Sequence, residues 1–437
     1  MNTTNLRFQL SEGQPTDGFS NSICQANSIT SELLTSQVSN LNERLRLSLG
    51  LEVSPITVSG NGQWKVDGIA GVMRLNPETE IEVVPKFLAG TEKWQRDFFL
   101  ISTLVRTGRL LNTEDISTDV ADRGDIATLV ARTLISGHIT NQRKPIRNYK
   151  TTHQVDFSFE GEVDLESLLM PDGDGYHIQK IELTGMNEYS SILRMALEIL
   201  LPQVGAGDTK TMLNRIIRGL KGAPKYQFHS FPKLPARHAA WSETFELSKL
   251  VINGMGLDLA GGGFRGPGFV VTTWQAWQQL CDEAIIRAFR NLEGVTQHPF
   301  LLGTRSRANL NVRPDLTLFK DGKPILLLDA KYKTRFERKE FVTNADVYEA
   351  LAFMNASKCN KMILLYPESD PSGDIGTTRM FESIEVEDKT IKAVSIQIRG
   401  ISESGGFNRM VESIKNGLIS VDSDISSVPI DNLMASK

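Results

Sequence analysis

At 437 residues the chain is long enough for two or three domains, each burying its own core. A hydrophobic fraction of 40% and a charged fraction of 23% are ordinary for a folded globular protein, and a net charge of −4 argues against a protein that coats nucleic acid through bulk charge. The longest apolar run, Phe98–Val105, is core-sized, and the polar N-terminus lacks the apolar centre of a secretory signal, so a cytoplasmic protein with no membrane association is expected. Cys24, Cys281 and Cys359 show no CxxC spacing, which leaves no disulfide framework and no zinc site to predict.

Residues 1–22 and 421–437 are rich in Ser, Asn, Asp and Thr and read as loosely ordered tails. From Pro55 to Phe87 short β-rich runs (ITVSG, GIAGVMRL, TEIEVVP) are separated by Gly, Asn and Pro. Trp94–Gly108 and Asp125–Ile139 repeat apolar residues at helical spacing, and His153–Leu169 is strand-rich. The reading is an α+β domain over 23–168. A helical segment with a Gly-rich linker over 169–262 follows, containing SSILRMALEILLPQ and DTKTMLNRIIRGLK. The glycines of Asn253–Gly268 lack the G-x-x-x-x-G-K-[ST] spacing and no strand leads into them, so a linker or loop is expected and no nucleotide is bound by this chain.

A third region, 263–420, changes pattern to helix, strand, strand, helix, strand. In the helix Thr272–Leu292, the residues Trp274, Trp277, Cys281, Ala284, Ile285 and Ala288 form one stripe. NVRPDLTLF and PILLLDAKYK are strands flanking Lys320-Asp321-Gly322-Lys323. FVTNADVYEALAFMNAS is a helix with Val347, Ala350, Leu351 and Met354 inward, and KMILLYP is a buried strand. The run Ile325–Leu328 predicts a strand covered on both faces, hence an α/β mixed sheet flanked by helices. Between His298 and Ala345 ten Lys or Arg face five Asp or Glu, a basic region in an acidic chain.

The chemistry lies at this hairpin. Phosphodiester hydrolysis needs a divalent cation and an activated water. Mg²⁺ takes one or two protein carboxylates and keeps several waters, and Mn²⁺ is an alternative. Asp315 and Asp329 on neighbouring strands supply the carboxylates, and the Ala330 carbonyl offers a third oxygen. Lys331, two residues beyond Asp329, shares its face of the strand and is suited to orient water and stabilise phosphate charge. A two-residue Asp-Gly loop would set Asp315 opposite Leu328, pointing away from Asp329. A three-residue loop, Lys320-Asp321-Gly322, would set it opposite Leu327 with Asp329 as its diagonal neighbour, and that register is expected. A solvated strand end with paired charges is the plainer alternative, but a core strand ending in Asp and two Lys is costly unless the charges are used.

RPDLTL…ILLLDAKYK resembles the PD-(D/E)xK nuclease motif, and in this wording the McrC family of restriction-system subunits. WQQLCDEAIIRAF is similar to that family's Leu-Phe-Glu helix, with Cys281-Asp282-Glu283 at its place, which implies Glu283 as an auxiliary acid. DVYEALAFMNA resembles its Asp-x-Tyr-Gln helix, with Asp346 and Tyr348 matching and Glu349 replacing the glutamine. GIAGVMRLNPETEIEVVPKF resembles its strand pair ending in Pro-Lys, here Pro85-Lys86, and Asn148-Tyr149 with Gly161-Glu162-Val163-Asp164 a further block. The resemblance implies a restriction-endonuclease-like C-terminal domain and a partner-binding N-terminal domain. It further implies DNA cleavage with a separate McrB-like AAA+ GTPase or ATPase ring whose hydrolysis the chain stimulates. The remaining alternatives are a catalytically silent regulatory subunit of that motor and a stand-alone repair nuclease of the same fold. The six histidines have no HxH or HExxH spacing, and there is no G-x-S-x-G, so zinc and serine hydrolases are not indicated.

Overall fold

Leu6, Phe8 and Leu10 alternate with Arg7, Gln9 and Ser11, and the alternation makes residues 6–11 a strand with its apolar side toward the core. The computed structural model describes residues 6–76, 78–90, 94–107, 126–157, 160–170, 173–224, 231–252, 269–306, 308–333, 342–368 and 373–421. The chain forms two compact units, residues 1–126 together with 255–437, and residues 127–254.

The first unit opens with β1 (Leu6–Ser11), α1 (Phe19–Asn27) and α2 (Ser31–Leu49). Thr30 caps α2 by accepting from Leu33 N, Gly50 ends it in a left-handed conformation, and Leu34, Val38, Leu41 and Leu45 form its buried stripe. The short strands β2 (Ile56–Val58) and β3 (Trp64–Val66) pair, followed by β4 (Ile69–Asn76), β5 (Thr79–Val84) and α3 (Trp94–Thr107). β1 lies parallel to β5, which pairs antiparallel with β4. The expectation of a loose tail over 1–22 is therefore corrected: polar composition masked a period-two strand and the first turn of α1. The C-terminal tail expected from 421 lies, beyond Val421, outside the described residues.

The second unit carries α4 (Ile126–Asn141), β6 (Asn148–Asp156), β7 (Glu162–Val163), α5 (Leu165–Leu169), β8 (Tyr176–Thr184), α6 (Glu188–Leu200), α7 (Asp208–Gly219) and α8 (Ser242–Ile252). β6 and β8 pair antiparallel over nine residues each, with β7 on the other edge of β8. The end of the segment read as strand to Leu169 is instead helix α5.

The first unit resumes with β9 (Phe269–Thr272), which completes a four-stranded sheet in the order β1-β5-β4-β9. Then come α9 (Thr273–Ala288), β10 (Glu293–Thr296), β11 (Phe300–Arg305), β12 (Ala308–Val312), β13 (Leu316–Lys320), β14 (Lys323–Ala330), α10 (Asn344–Ser357), β15 (Lys361–Pro367), β16 (Thr378–Val386), β17 (Lys389–Ile396) and α11 (Gly406–Val421). Six strands form one mixed sheet in the order β10-β13-β14-β15-β17-β16, with β14, β15 and β17 mutually parallel. Leu326, Leu327 and Leu328 are all buried, so both faces of β14 are covered, as the apolar run required. α10 packs Ala350, Phe353 and Met354 against Leu327, Met362, Leu364, Ile391 and Ala393, with Val347 and Leu351 at the margin. On α9, Trp277, Cys281, Ala284, Ile285 and Ala288 are buried, but Trp274 is 47% exposed and does not join the stripe.

Because β9 completes the N-terminal sheet and α9 follows it without a break, packing joins the N-terminal strands to the C-terminal sheet. The boundaries expected at 168/169 and 262/263 do not coincide with that division. The Gly-rich linker falls outside the described residues.

Candidate active site

The segment read as one strand, NVRPDLTLF, is broken at Arg313-Pro314, where proline withholds a donor from the ladder. β13 starts immediately after Asp315, and β14 carries Asp329 as its penultimate residue. The turn between them is two residues long, with Asp321 at φ 52° and Gly322 at φ 73°, the pairing of a tight hairpin turn with two left-handed residues. The expected three-residue loop is thus incorrect. The register is restored differently: Phe319 pairs with Pro324 and Leu318 with Leu326, so Ile325 is an extra residue in a β-bulge. That single insertion pairs Leu316 with Leu328, and one step further sets Asp315 directly across from Asp329 on the same face.

Asp315 is held by three hydrogen bonds. Its Oδ2 accepts from Ala330 N at 2.8 Å, its Oδ1 from Gln297 Nε2 at 2.7 Å, and its carbonyl from Gln297 N at 2.9 Å. The opposing strand is pinned by Lys331 N donating to Leu365 O at 2.8 Å, a carbonyl also reached by Trp277 Nε1 at 3.2 Å. Asp329 is 5% exposed and pairs through Oδ2 with Lys331 Nζ at 2.5 Å. The same ammonium reaches Glu349 Oε2 on α10 at 2.6 Å. Lys333, one period further on, pairs with the buried Asp346 at 2.7 Å, whose carboxylate also accepts from the capping Thr343.

The electrostatics are those of a site short of positive charge. Burial and the neighbouring Asp329 raise Asp315 to about 6, against the hydrogen bond from Ala330 N. Burial also raises Asp329, opposed by Lys331. Burial works against the charge on Lys331, yet Asp329 and Glu349 hold its ammonium above the ordinary lysine range. Asp282 of α9 is also raised, to about 8, by burial and by Asp315 and Asp329. The adjacent Glu283, expected as the auxiliary acid, instead makes an ion pair with Arg287 at 2.5 Å one helical turn along. The acid that feels the two strand carboxylates is Asp282.

The structure therefore brings together Asp315, Asp329, Ala330 and Lys331 and adds Asp282, Gln297 and Glu349. Among the described residues no three His, Cys, Asp or Glu side chains converge to cage an ion. The donor set fits a hard cation that takes one or two carboxylates and completes its shell with water, as Mg²⁺ does.

Behind Lys331 lies a second cluster. Glu12, 3% exposed, accepts from Thr273 Oγ1 at 2.6 Å, from Lys86 N at 3.2 Å and from the Tyr332 hydroxyl. The Lys86 ammonium sits 4.2 Å from the centre of the Tyr332 ring, and Phe87 packs edge-on to the same ring. Pro85-Lys86 of the N-terminal sheet thus locks onto the residue that follows Lys331. Glu12 had no sequence signal beyond the strand before it, and Thr273 none beyond its helix start.

The family model described as McrBC 5-methylcytosine restriction system component matches residues 64–367. The chain belongs to the McrBC family. Within that family its fold is similar to a chain of the Thermococcus gammatolerans complex of McrB AAA+ hexamers with bound McrC, at a TM-score of 0.71 and 12% identity, over 95% of this chain and 100% of that one. A second structure of the Thermococcus gammatolerans McrBC complex matches at a TM-score of 0.50 and 14% identity, over 65% of this chain and 88% of the other. No curated protein matches the sequence. The resemblance to McrC read from RPDLTL…DAKYK and its flanking blocks is borne out, and the McrBC match spans both the Pro85-Lys86 sheet and the Asp315–Lys331 hairpin.

Proposed function

We propose that the chain is the Mg²⁺-dependent endonuclease subunit of an McrBC-type restriction system, with a PD-(D/E)xK site, cutting DNA when engaged by a separate AAA+ GTPase ring whose hydrolysis it stimulates. The observation that carries the reading is the bulged hairpin. One inserted residue turns Asp315 to the same face as Asp329 and Lys331, a register that packing alone does not demand. Asp315 and Asp329, with the Ala330 carbonyl, would hold the ion, and Mn²⁺ fits the same oxygen set. When bound, the ion supplies charge neutralisation and polarisation at the scissile phosphate. Lys331 orients the attacking water and meets charge developing on the phosphate oxygens. Gln297 fixes the Asp315 carboxylate through Oδ1. Burial first, and then the neighbouring Asp315 and Asp329, keep the proton on Asp282 near neutral pH, and a cation held by those two carboxylates would favour its release.

This protonation has a calorimetric consequence. At pH 7 Asp282, at about 8, holds most of a proton and Asp315, at about 6, only roughly a tenth of one, and a cation bound beside them displaces both. Mn²⁺ affinity therefore rises as pH increases from 6 to 8, and binding at pH 7 releases protons, read as a dependence of the binding heat on buffer ionisation enthalpy. Asp282→Asn reduces the release. A binding heat independent of buffer would place no protonated carboxylate at the ion.

The partner reading draws on the second unit. The β6–β8 pair exposes Tyr149, Ile181 and Leu183, and α5 exposes Leu165, Leu168 and Leu169, with Met170 exposed just after it. Exposed apolar side chains of this kind along the strand pair and on α5 mark a protein-binding surface, and the McrC-like fold supplies the class of partner. The chain is expected to raise nucleotide hydrolysis by a purified McrB-type ring, and Leu169→Asp with Met170→Asp to abolish the effect. Undiminished stimulation by that variant would exclude the α5 surface as the contact with the ring.

A further inference from the structure

The basic stretch found in the sequence is not absorbed by the carboxylate site. Its first part, together with the four residues before it, runs from Gly294 to Pro314 without a single acidic residue, in a chain whose acids outnumber its bases. This stretch folds as a two-stranded ribbon, β11 with β12, which is hydrogen-bonded to neither of the larger sheets. Its root is fixed: Phe300 and Val312 pack against the core under α10, and Phe300 stacks 6.5 Å from Phe319 while His298 meets both rings edge-on. Beyond the root the ribbon is exposed at Leu301, Thr304, Arg305, Asn309 and Asn311. At its base Arg313 is exposed as well, two residues before Asp315. Neither Arg305 nor Arg313 has an ion-pair partner among the described residues, whereas Lys331 and Lys333 are both engaged.

We propose that the β11–β12 ribbon seats duplex DNA beside the cutting site, with Arg305 and Arg313 on backbone phosphates. A two-stranded ribbon has the dimensions to enter a major groove, its asparagines offer amides to base edges, and exposed guanidiniums suit phosphate oxygens. β12 runs into Asp315 through Arg313-Pro314, so a duplex on the ribbon lies in line with the carboxylates. Charge complementarity selects a polyanion over a protein for this face. The proposal rests on the nuclease reading and extends it to how substrate is held.

The test uses the full chain carrying Asp329→Ala, so that DNA is bound and not cut, and a fluorescent duplex read by anisotropy over a series of salt concentrations. Adding Arg305→Ala with Arg313→Ala is expected to weaken binding about tenfold and to lower the slope of log affinity against log salt by about 2. In the Asp329 background of wild type, the same pair raises the DNA concentration needed for half-maximal cutting. Equal affinity and slope, with wild-type chain cutting DNA, overturn the ribbon proposal alone. Unchanged DNA binding with lost stimulation of the ring overturns it in favour of a protein-facing ribbon. If the parent chain neither binds nor cuts duplex, with or without the ring, the nuclease reading falls and the ribbon with it.

Discussion

Lys331→Ala retains divalent-ion binding and lowers DNA cleavage roughly 10²–10³-fold, the loss seen when one donor to a developing oxyanion is removed. The ammonium lies 2.5 Å from Asp329 and 2.6 Å from Glu349, so two carboxylates aim it along the face that carries Asp315. Removing it takes a positive charge from beside the ion site, which does not weaken a cation's hold on Asp315 and Asp329. Single-turnover cleavage and Mn²⁺ titration separate the two effects. Cleavage within about threefold of wild type would take Lys331 out of the chemistry. Loss of ion binding together with cleavage would make it a clamp for the strand end.

Glu12→Ala is the substitution with the largest expected cost to stability. It removes the acceptor from the Tyr332 hydroxyl, the Thr273 hydroxyl and Lys86 N at a position 3% exposed. Stranding buried donors of this kind costs roughly 3–5 kcal/mol. Tyr332→Phe, which leaves the carboxylate with its other two donors, costs about 1–3 kcal/mol. Burial raises the Glu12 pKa against the hydrogen bonds of Thr273 and Tyr332. A carboxylate with a raised folded-state pKa binds its proton more tightly when folded, so its contribution falls as pH rises from the unfolded carboxylate range through the folded value. Glu12→Gln flattens that limb of the stability profile. Denaturant melts of the three variants between pH 4 and 8 check the order and the slope. A Glu12→Ala protein as stable as wild type would show that the N-terminal sheet does not fix the residue after Lys331.

The candidate site was legible where the sequence places chemistry on a regular element. Asp329-Ala330-Lys331 at the end of a buried leucine run carries its own geometry, because alternation puts both charged side chains on one face. The loop was not legible. A β-bulge at Ile325 has no single-residue signature, and Pro324-Ile325 reads as uninterrupted strand, so the right face was reached through the wrong register. Neighbours on a helix point about 100° apart, so the expected auxiliary acid Glu283 and the adjacent Asp282 have different surroundings. Glu283 turns toward Arg287, while Asp282 flanks the buried Cys281–Ile285 stripe and feels the site. Glu12 was hidden by the serines, threonines and asparagines around it. Its value comes from Tyr332, some 320 positions away, which no local pattern records.

The most direct measurement is cleavage of methylated and unmethylated plasmid with Mg²⁺, GTP or ATP and the co-encoded ring protein, comparing wild type with Asp329→Ala. Cutting by wild type that requires the ring and disappears in Asp329→Ala is the predicted result. Equal cutting by the two proteins would contradict the assignment of the site, and stimulation of the ring without cutting by either would make the chain a regulator in which the bulged hairpin has no catalytic role.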